Sequence, residues 1–591
     1  MALDISAARA ELSSTSLAQT AKTREAVRKH GRRSVALKPS INGKAFFHQM
    51  HSEWQLWTGF IESCNRFPER PAIDVGREVT YQELAQRAKR IAATIQARLT
   101  SREVPLTAVF AYRSETAYAG VLGALMSGHG YVPLNRTFPP DRTRLMLQRS
   151  RCHSIVVDAG SEPQLDALLA GVDTELLLLC PDRSDVTELA AKFPTHRIVG
   201  ANDFSPAEQW RATNVPSNSI AYLLFTSGST GQPKGVMVSH ANVLHYVDYV
   251  TKRYGFTSSD RVSQTFDLTF DLSAHDMFVA WQNGACVCCP TQKQLIKPGA
   301  FMNDSRLTVW FSVPSIAVFM RRFGVLNPGT YPRLRLSLFC GEALPLDTVR
   351  EWALAAPNSL IENIYGPTEL TIACTAYRWD NQSSPSECEH GIVPIGEPFD
   401  DMEALIVDEE LQEVESGAAG ELLMTGPQLC LGYWNDEEKT KRAFVALPGK
   451  GDAYYYRTGD RVRRAAAAKP LVYLGRLDSQ IKVLGHRVEL GEVEAAARAA
   501  SGLDGVVALG WPMSESGADA IELFLEADNF DTKALVGELK RRLPVYMLPR
   551  NVRILRRFPL NANGKYDRKA LQMILENASS TSVQNSDAIS P

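Results

Sequence analysis

Short β-branched runs alternate with longer amphipathic segments along most of this chain, and that alternation limits the folds open to it. TAVFAY precedes SETAYAGVLGALMSG, SIVVDAG precedes EPQLDALLAG, and SIAYLLFTSG precedes SHANVLHYVDYVTKRYG. RLTVWFSVP and LRLSLFCGE are followed in the same way by SIAVFMRRFG and PLDTVREWALAA. A short apolar run suits a strand buried on both faces, and an amphipathic segment suits a helix laid over it. The expectation is an α/β fold of parallel-rich sheets layered with helices.

The texture changes after Arg461. LVYLGRLDSQIKVLGHRVELGEVEAAARAA has the pattern of a hairpin followed by a helix; GVVALGW, IELFLEA and TKALVGELKRRL then suggest strand, strand, helix. A small mobile α+β domain is expected over 478–575, after a large domain over 45–477. Residues 1–44 are polar and somewhat basic, with little to build a core from, and suggest a loosely ordered extension. The end, 576–591, has the composition of a disordered tail.

Composition removes several classes of function. Across 591 residues the net charge is −2, which gives no reason to expect nucleic acid or an anionic membrane as partner. No apolar run approaches a membrane span, and the N-terminus lacks a signal-peptide core. Ten cysteines in a chain of this length make no disulfide framework and point to a reducing, cytoplasmic setting. ACVCCP holds a formal C-x-x-C, Cys286 to Cys289, but no second pair or histidine completes a zinc site, so a buried strand is expected.

LLFTSGSTGQPKGVMVSH, Leu223 to His240, puts a loop rich in glycine and hydroxyl groups, with one lysine, after an apolar strand. Glycines let backbone N–H groups converge and hydroxyls add donors, which together make a nest for phosphate oxygens. The nucleoside-triphosphatase loop requires Ser or Thr after its lysine; here Gly235 follows Lys234, so that pattern fails.

With the segments VTYQEL, GYVPLNRTFPPDR, FTSGSTGQPKG, FDLSAHDMF, NIYGPTE, GELLMTGPQLCLGYW, YRTGD, GRLDSQIKVLGHRVELGEVE, LPVYMLPR and NANGKYDR in this order, the chain resembles the adenylate-forming synthetases. That superfamily contains acyl-CoA synthetases, firefly luciferase and the adenylation domains of nonribosomal peptide synthetases. The likeness is strongest to amino-acid adenylation enzymes and runs from Val79 to Arg568.

The resemblance implies roles for individual residues. Thr226, Ser227, Gly228, Ser229, Thr230, Gly231 and Lys234 would hold the β- and γ-phosphates of ATP. Gly341 and Glu342 would line the adenine pocket with Asn363, Tyr365, Gly366 and Thr368, the aromatic stacking on the base. Glu369 would bind Mg2+, since a carboxylate beside triphosphate oxygens makes a hard oxygen site. Asp460 would accept hydrogen bonds from the ribose diol, and Arg476 would lie near ribose and phosphate. Lys565 would be catalytic, with Glu369 and Thr226, bridging the substrate carboxylate and the α-phosphate where charge grows in the transition state.

Asp271 in FDLSAHDMF would pair with the α-ammonium of an amino acid, a charge that acyl-CoA synthetases do not need. The side-chain pocket would be lined by Leu272, His275, Ser315, Leu338, Cys340, Ile364, Ile372 and Ala373. These residues are neutral and of medium size apart from His275, which suits a small-to-medium neutral amino acid. Asp478 would be the hinge on which the small domain turns between half-reactions, withdrawing Lys565 and bringing GHRVELGE to the site. The expectation is a free-standing ATP-dependent, AMP-forming ligase. It would form aminoacyl-AMP and pass the acyl group to the phosphopantetheine thiol of a separate carrier protein. The alternatives are a carboxylic acid–CoA ligase or amide-forming relative, and a non-catalytic protein that keeps the fold. The last would be marked by loss of Glu369, Asp460 or Lys565, and all three are present.

Overall fold

The computed structural model describes residues 54–99, 104–228, 232–466, 469–478, 480–514, 517–560 and 566–586. The strand–helix alternation becomes two large sheets. One has nine strands in the order 397–398, 375–378, 360–365, 336–339, 309–312, 261–263, 286–288, 71–74 and 78–80. Its inner pairs are parallel, as Phe311 opposite Leu338 and Phe339 opposite Asn363 show, and its outer strands are antiparallel. The other has seven strands in the order 197–200, 177–180, 154–157, 106–110, 130–134, 220–226 and 234–239; only its last pair is antiparallel. Buried strands without polar alternation make up the parallel part, as β-branched runs require.

One continuous core joins both sheets through the helices Tyr81–Arg98, Glu115–Met126 and His240–Tyr254, with Val109, Val121, Val247, Val287 and Phe311 all within it. Local sequence sets the ends of these helices. Thr80 and Glu83 form a reciprocal cap at the first. Ser239 caps the third, which stops at Gly255 with φ +58°. ACVCCP supplies the strand Cys286–Cys288, and all three of its cysteines are buried and free.

A five-stranded sheet contains Tyr454–Arg464 paired with Leu471–Arg476. The C-terminal hairpin expected to begin at LVYLG is therefore shorter: it is Gln480–Val483 with His486–Glu489, followed by the helix Leu490–Ser501. LVYLG belongs to the preceding sheet because its hydrogen bonds are taken by Tyr454–Arg464. A three-stranded sheet of Val506–Gly510, Ile521–Glu526 and Pro549–Leu555 completes the C-terminal elements, with Thr532–Arg542 and Leu490–Ser501 packed on one core. The tail expected from 576 is corrected in part: the helix Arg568–Ser586 runs into it. The expected extension over 1–44 lies outside the described residues. No helix among the described residues is long and apolar enough to cross a membrane.

Candidate active site

A cavity of about 490 Å3 opens at the carboxyl ends of the parallel strands, the position at which open α/β sheets take ligands. The strand Leu336–Phe339 delivers Cys340, Gly341 and Glu342 to it, and Leu360–Tyr365 delivers Asn363, Ile364, Tyr365 and Gly366. From the opposite side Gln480, Lys482, Gly485, His486, Arg487 and Tyr546 close over it.

Thr226 and Ser227 line the cavity where Ile220–Thr226 ends, with Thr226 paired in register to Lys234. The hydroxyl Oγ1 of Thr226 is buried without a hydrogen-bond partner among the described residues, and a Cβ on Gly228 would clash with the carbonyl of Gln232. An orphaned donor beside a turn that only glycine can make suits an anion cradle. Ser229, Thr230 and Gly231 lie outside the described residues, as does Lys565.

Lys234 opens the strand Lys234–Ser239, with Nζ 2.9 Å from Glu369 Oε1 and 3.1 Å from the Tyr433 hydroxyl. Arg487 Nη1 is 3.3 Å from the other oxygen of Glu369. Glu369 is fully buried. Burial alone would raise its pKa, but Lys234 and Arg487, with hydrogen bonds from Lys234 and Tyr433, hold it well below the usual carboxylate range. Glu369 and Lys234 therefore form a charged layer behind the cavity. Glu369 has the hard oxygen chemistry a Mg2+ ion needs, but its Oε2 is taken by Arg487 in this arrangement. No group of three or more metal-ligating side chains occurs among the described residues.

The residues expected to face the nucleotide form a connected set. Tyr365 donates its hydroxyl to Asp460 Oδ2, and Arg476 Nη1 lies 2.7 Å from Asp460 Oδ1. Arg476 also grips Asp478 through Nε at 2.8 Å and Nη2 at 2.5 Å, a bidentate pair. Asp478 is thus tied to Asp460 through a single guanidinium. Asn363 spends its amide donors on the carbonyls of Val393 and Pro394. Glu342 accepts from the backbone N–H of Ser315 at 2.7 Å and from that of Gly485.

Asp271 and Leu272 line the far end, near Cys340 and Ile364. Asp271 heads the helical stretch Leu272–Gln282 but makes no side-chain cap; its Oδ2 accepts the Ile372 N–H at 3.2 Å. Burial pushes its pKa up to about 6, partly offset by hydrogen bonds from Thr368 and Ile372. A buried carboxyl facing a cavity, with no ion pair among the described residues, suits a ligand ammonium. Thr368 also lines the cavity.

Five residues expected at the side-chain pocket are not at the cavity surface: His275, Ser315, Leu338, Ile372 and Ala373. His275 is fully buried behind the wall, hydrogen-bonded to the Tyr246 hydroxyl at 2.8 Å and set edge-on to Phe311, and burial lowers its pKa to about 3. A helix turn of π geometry, His275–Val279, turns it inward. Leu338, Ile372 and Ala373 form the layer beneath Cys340 and Ile364, and Ser315 acts through its backbone on Glu342.

Sequence reasoning missed Tyr433, Gln428, Lys482 and Tyr546 as site residues. Tyr433 and Gln428 lie in GPQLCLGYW, where a polar residue and a tyrosine inside an apolar stretch were the available signal. Lys482 and Tyr546 carry no local signal, because only the docking of the C-terminal elements brings them to the cavity.

A family model described as AMP-binding enzyme matches residues 60–434. Tyrocidine synthase 3 of Brevibacillus parabrevis is 33% identical over 519 residues, 87% of this chain and 8% of that protein, so the chain spans a small part of such a synthase. The D-alanine–D-alanyl carrier protein ligase of Bacillus licheniformis is 28% identical over 510 residues, 85% of this chain and 95% of that protein. Among solved structures, the Vibrio cholerae adenylation domain AlmE in complex with glycyl-adenosine-5'-phosphate matches with a TM-score of 0.79 at 31% identity, covering 92% of this chain and 100% of that one. With its cavity at the strand ends, its phosphate-loop turn and a family match over most of its large sheets, this chain belongs to the AMP-binding enzyme family.

Proposed function

We propose that the enzyme activates a small-to-medium neutral amino acid as aminoacyl-AMP and transfers it to the phosphopantetheine thiol of a separate carrier protein. The observation that carries the amino-acid reading is Asp271, a buried carboxyl at the cavity wall that caps no helix and, among the described residues, forms no ion pair. The glycyl-adenylate named for AlmE and the D-alanine named for the Bacillus licheniformis ligase are small substrates of those proteins, and they support a small one here. A carboxylic acid–CoA ligase, the alternative, has no use for that carboxylate.

In the first half-reaction the amino-acid carboxylate attacks the α-phosphorus of ATP and pyrophosphate leaves. Two anions must approach, so fixed positive charge has to cancel their repulsion. Thr226, Ser227, Gly228 and the rest of the loop would hold the phosphates, Asp460 and Arg476 the ribose, and Asp271 the ammonium. Glu369 would hold Mg2+, which when bound neutralises triphosphate charge. Lys565 would bridge carboxylate and α-phosphate. In the described arrangement Leu560 and Tyr566, which flank it, pair with each other and Tyr566 packs on Phe558; neither is among the cavity-lining residues. GHRVELGE occupies the cavity side instead, through Gly485, His486 and Arg487. This is the arrangement expected for the second half-reaction, with the elements from Gln480 onward acting as a domain that turns at Asp478.

Pyrophosphate exchange across a panel of amino acids and aryl acids tests the reading. Exchange is expected with one or a few small neutral amino acids and at background with aryl acids. A preference for aryl or fatty acids would overturn it.

A further inference from the structure

Among the polar rings that line the cavity, one is held by contacts on every side and is given no part in the first half-reaction. His486 lines it, on the turn into the strand His486–Glu489. Its imidazole lies face to face on Tyr546, with centroids 3.7 Å apart and planes 5° apart, and meets Phe270 edge-on at 5.0 Å. Both chain neighbours are pinned to the large sheets. Gly485 donates its N–H to Glu342, Arg487 reaches Glu369, and the Ser227 hydroxyl donates to the Arg487 carbonyl at 2.9 Å. A Cβ on Gly485 would approach Val313 Cγ1 to 2.8 Å, so this approach also needs a glycine. The ring is therefore fixed by aromatic contact on its face and edge and by hydrogen bonds on either side in sequence.

Its Nδ1 is enclosed and has no hydrogen-bond partner among the described residues. An aromatic spacer between Phe270 and Tyr546 would need no nitrogen; an orphaned ring nitrogen in a ligand cavity requires another explanation. Burial, reinforced by Lys482, keeps the ring neutral, lowering its pKa to about 4. The charged and titratable groups around it are Lys482 on its own hairpin, Tyr546 against its face, Glu342 bonded to Gly485, and Arg142 across the cavity wall beside Phe138. A neutral imidazole has one acceptor nitrogen, and in this cavity the group that arrives with a proton to lose is the acceptor thiol.

On the reading given under Proposed function, we propose that His486 is the general base of the second half-reaction, accepting the proton of the acceptor thiol. The S–H bond breaks as N–H forms on His486. The sulfur lone pair attacks the acyl carbon of aminoacyl-AMP, the C–S bond forms, and the C–O bond to phosphorus breaks with its electron pair leaving on AMP. The imidazolium returns its proton to the departing AMP phosphate, so that no other reagent is consumed. The ring is neutral and able to accept when the thiol arrives, and the adenylate's negative charge raises its basicity by favouring the imidazolium while it exists. Because His486 comes with the C-terminal elements, the base would be present only when the thiol is to react.

The test separates the two half-reactions in the whole enzyme. Amino-acid-dependent pyrophosphate exchange is measured with the best amino acid of the panel, and thioester formation with pantetheine and with the more acidic 2,2,2-trifluoroethanethiol. In His486→Phe, which keeps the stack, exchange should stay within about twofold while transfer to pantetheine falls by about 10²-fold, the usual worth of a positioned base. Transfer to the acidic thiol, already largely ionised, should fall less than tenfold. Unchanged transfer to pantetheine, or equal loss with both thiols, would overturn the proposal, since a purely structural ring slows both alike. Should His486→Phe not fold, His486→Gln carries the same comparison. A wild-type enzyme with no amino-acid-dependent exchange would remove the reading beneath the proposal and the proposal with it. Exchange without a pantetheine defect in the variant would remove the proposal alone.

Discussion

Single residues carry the charge logic of this site. Asp271 sits in a cavity wall without a counter-ion among the described residues, so removing it should be felt by the amino acid and not by ATP. Losing one member of a buried charge pair costs ~2–5 kcal/mol. Asp271→Ala is therefore expected to raise the amino-acid KM on the order of 10²-fold with the ATP KM within twofold, measured by pyrophosphate exchange. Its carboxyl is held up to about 6 by burial. Below that pH it takes a proton and loses the charge that attracts an ammonium, so the amino-acid KM should rise as pH falls through about 6 and level off above it. A KM flat from pH 5 to 8 would contradict this. On the proposed function, Lys565 would act at the other anion. Lys565→Ala should cut exchange by ~10²–10³ or more, as removal of a preorganised transition-state donor does, with ATP binding by calorimetry largely retained.

At the scale of elements, the segment after NIYGPTE stores strain beneath the Asp271 end of the cavity. Thr371 and Ile372 are β-branched yet have φ of +56° and +74°, a conformation such residues adopt only when their surroundings force it. Gln428 does the forcing. Its Nε2 reaches the carbonyls of Leu370, Thr371 and Ala373 at 3.2, 3.2 and 2.6 Å, and its own carbonyl accepts the Thr371 hydroxyl at 2.6 Å. The reward is the Ile372 N–H aimed at Asp271. Gln428→Ala strands these carbonyls and should cost ~1–3 kcal/mol of stability. It should also raise the amino-acid KM, since the loop that orients Asp271 relaxes. Thermal melting and exchange kinetics on the same preparation check both; a lower melting temperature with unchanged KM would separate the loop from the site.

For the whole molecule, the question is how the C-terminal elements are held over the cavity. Arg142 and Glu492 form an ion pair across the junction and both are buried, at 7% and 1% exposure. Glu492 also lies 3.4 Å from the N–H of Gly228 in the phosphate loop. Tyr546 packs edge-on to Phe138 at 6.4 Å beside them. Breaking a buried pair by removing one partner typically costs ~3–5 kcal/mol. Where elements can undock rather than unfold, that cost falls on the docked arrangement. Glu492→Gln is expected to speed proteolysis between 476 and 480 and to slow thioester formation at least tenfold. Pyrophosphate exchange should hold within about threefold. A variant with slowed exchange and normal transfer would mean the pair serves the first half-reaction instead.

Much of this was legible before any coordinates. Local rules acting over a few residues were enough for the strand–helix alternation and for a glycine-rich turn that includes Gly228, because backbone conformation and turn chemistry depend on near neighbours; Asp271, Glu369 and Asp460 were singled out by the family resemblance instead. The sequence could not assign LVYLG to its sheet, since strand pairing is settled by hydrogen-bond partners far along the chain. Nor could it tell which pocket residues reach the surface: a π turn rotates His275 behind the wall while Asp271, four residues earlier, stays at it. Those outcomes, and the meeting of His486, Lys482 and Tyr546 with Asp271 in one cavity, arise from packing between distant segments, where burial and shape decide and no local pattern records the result.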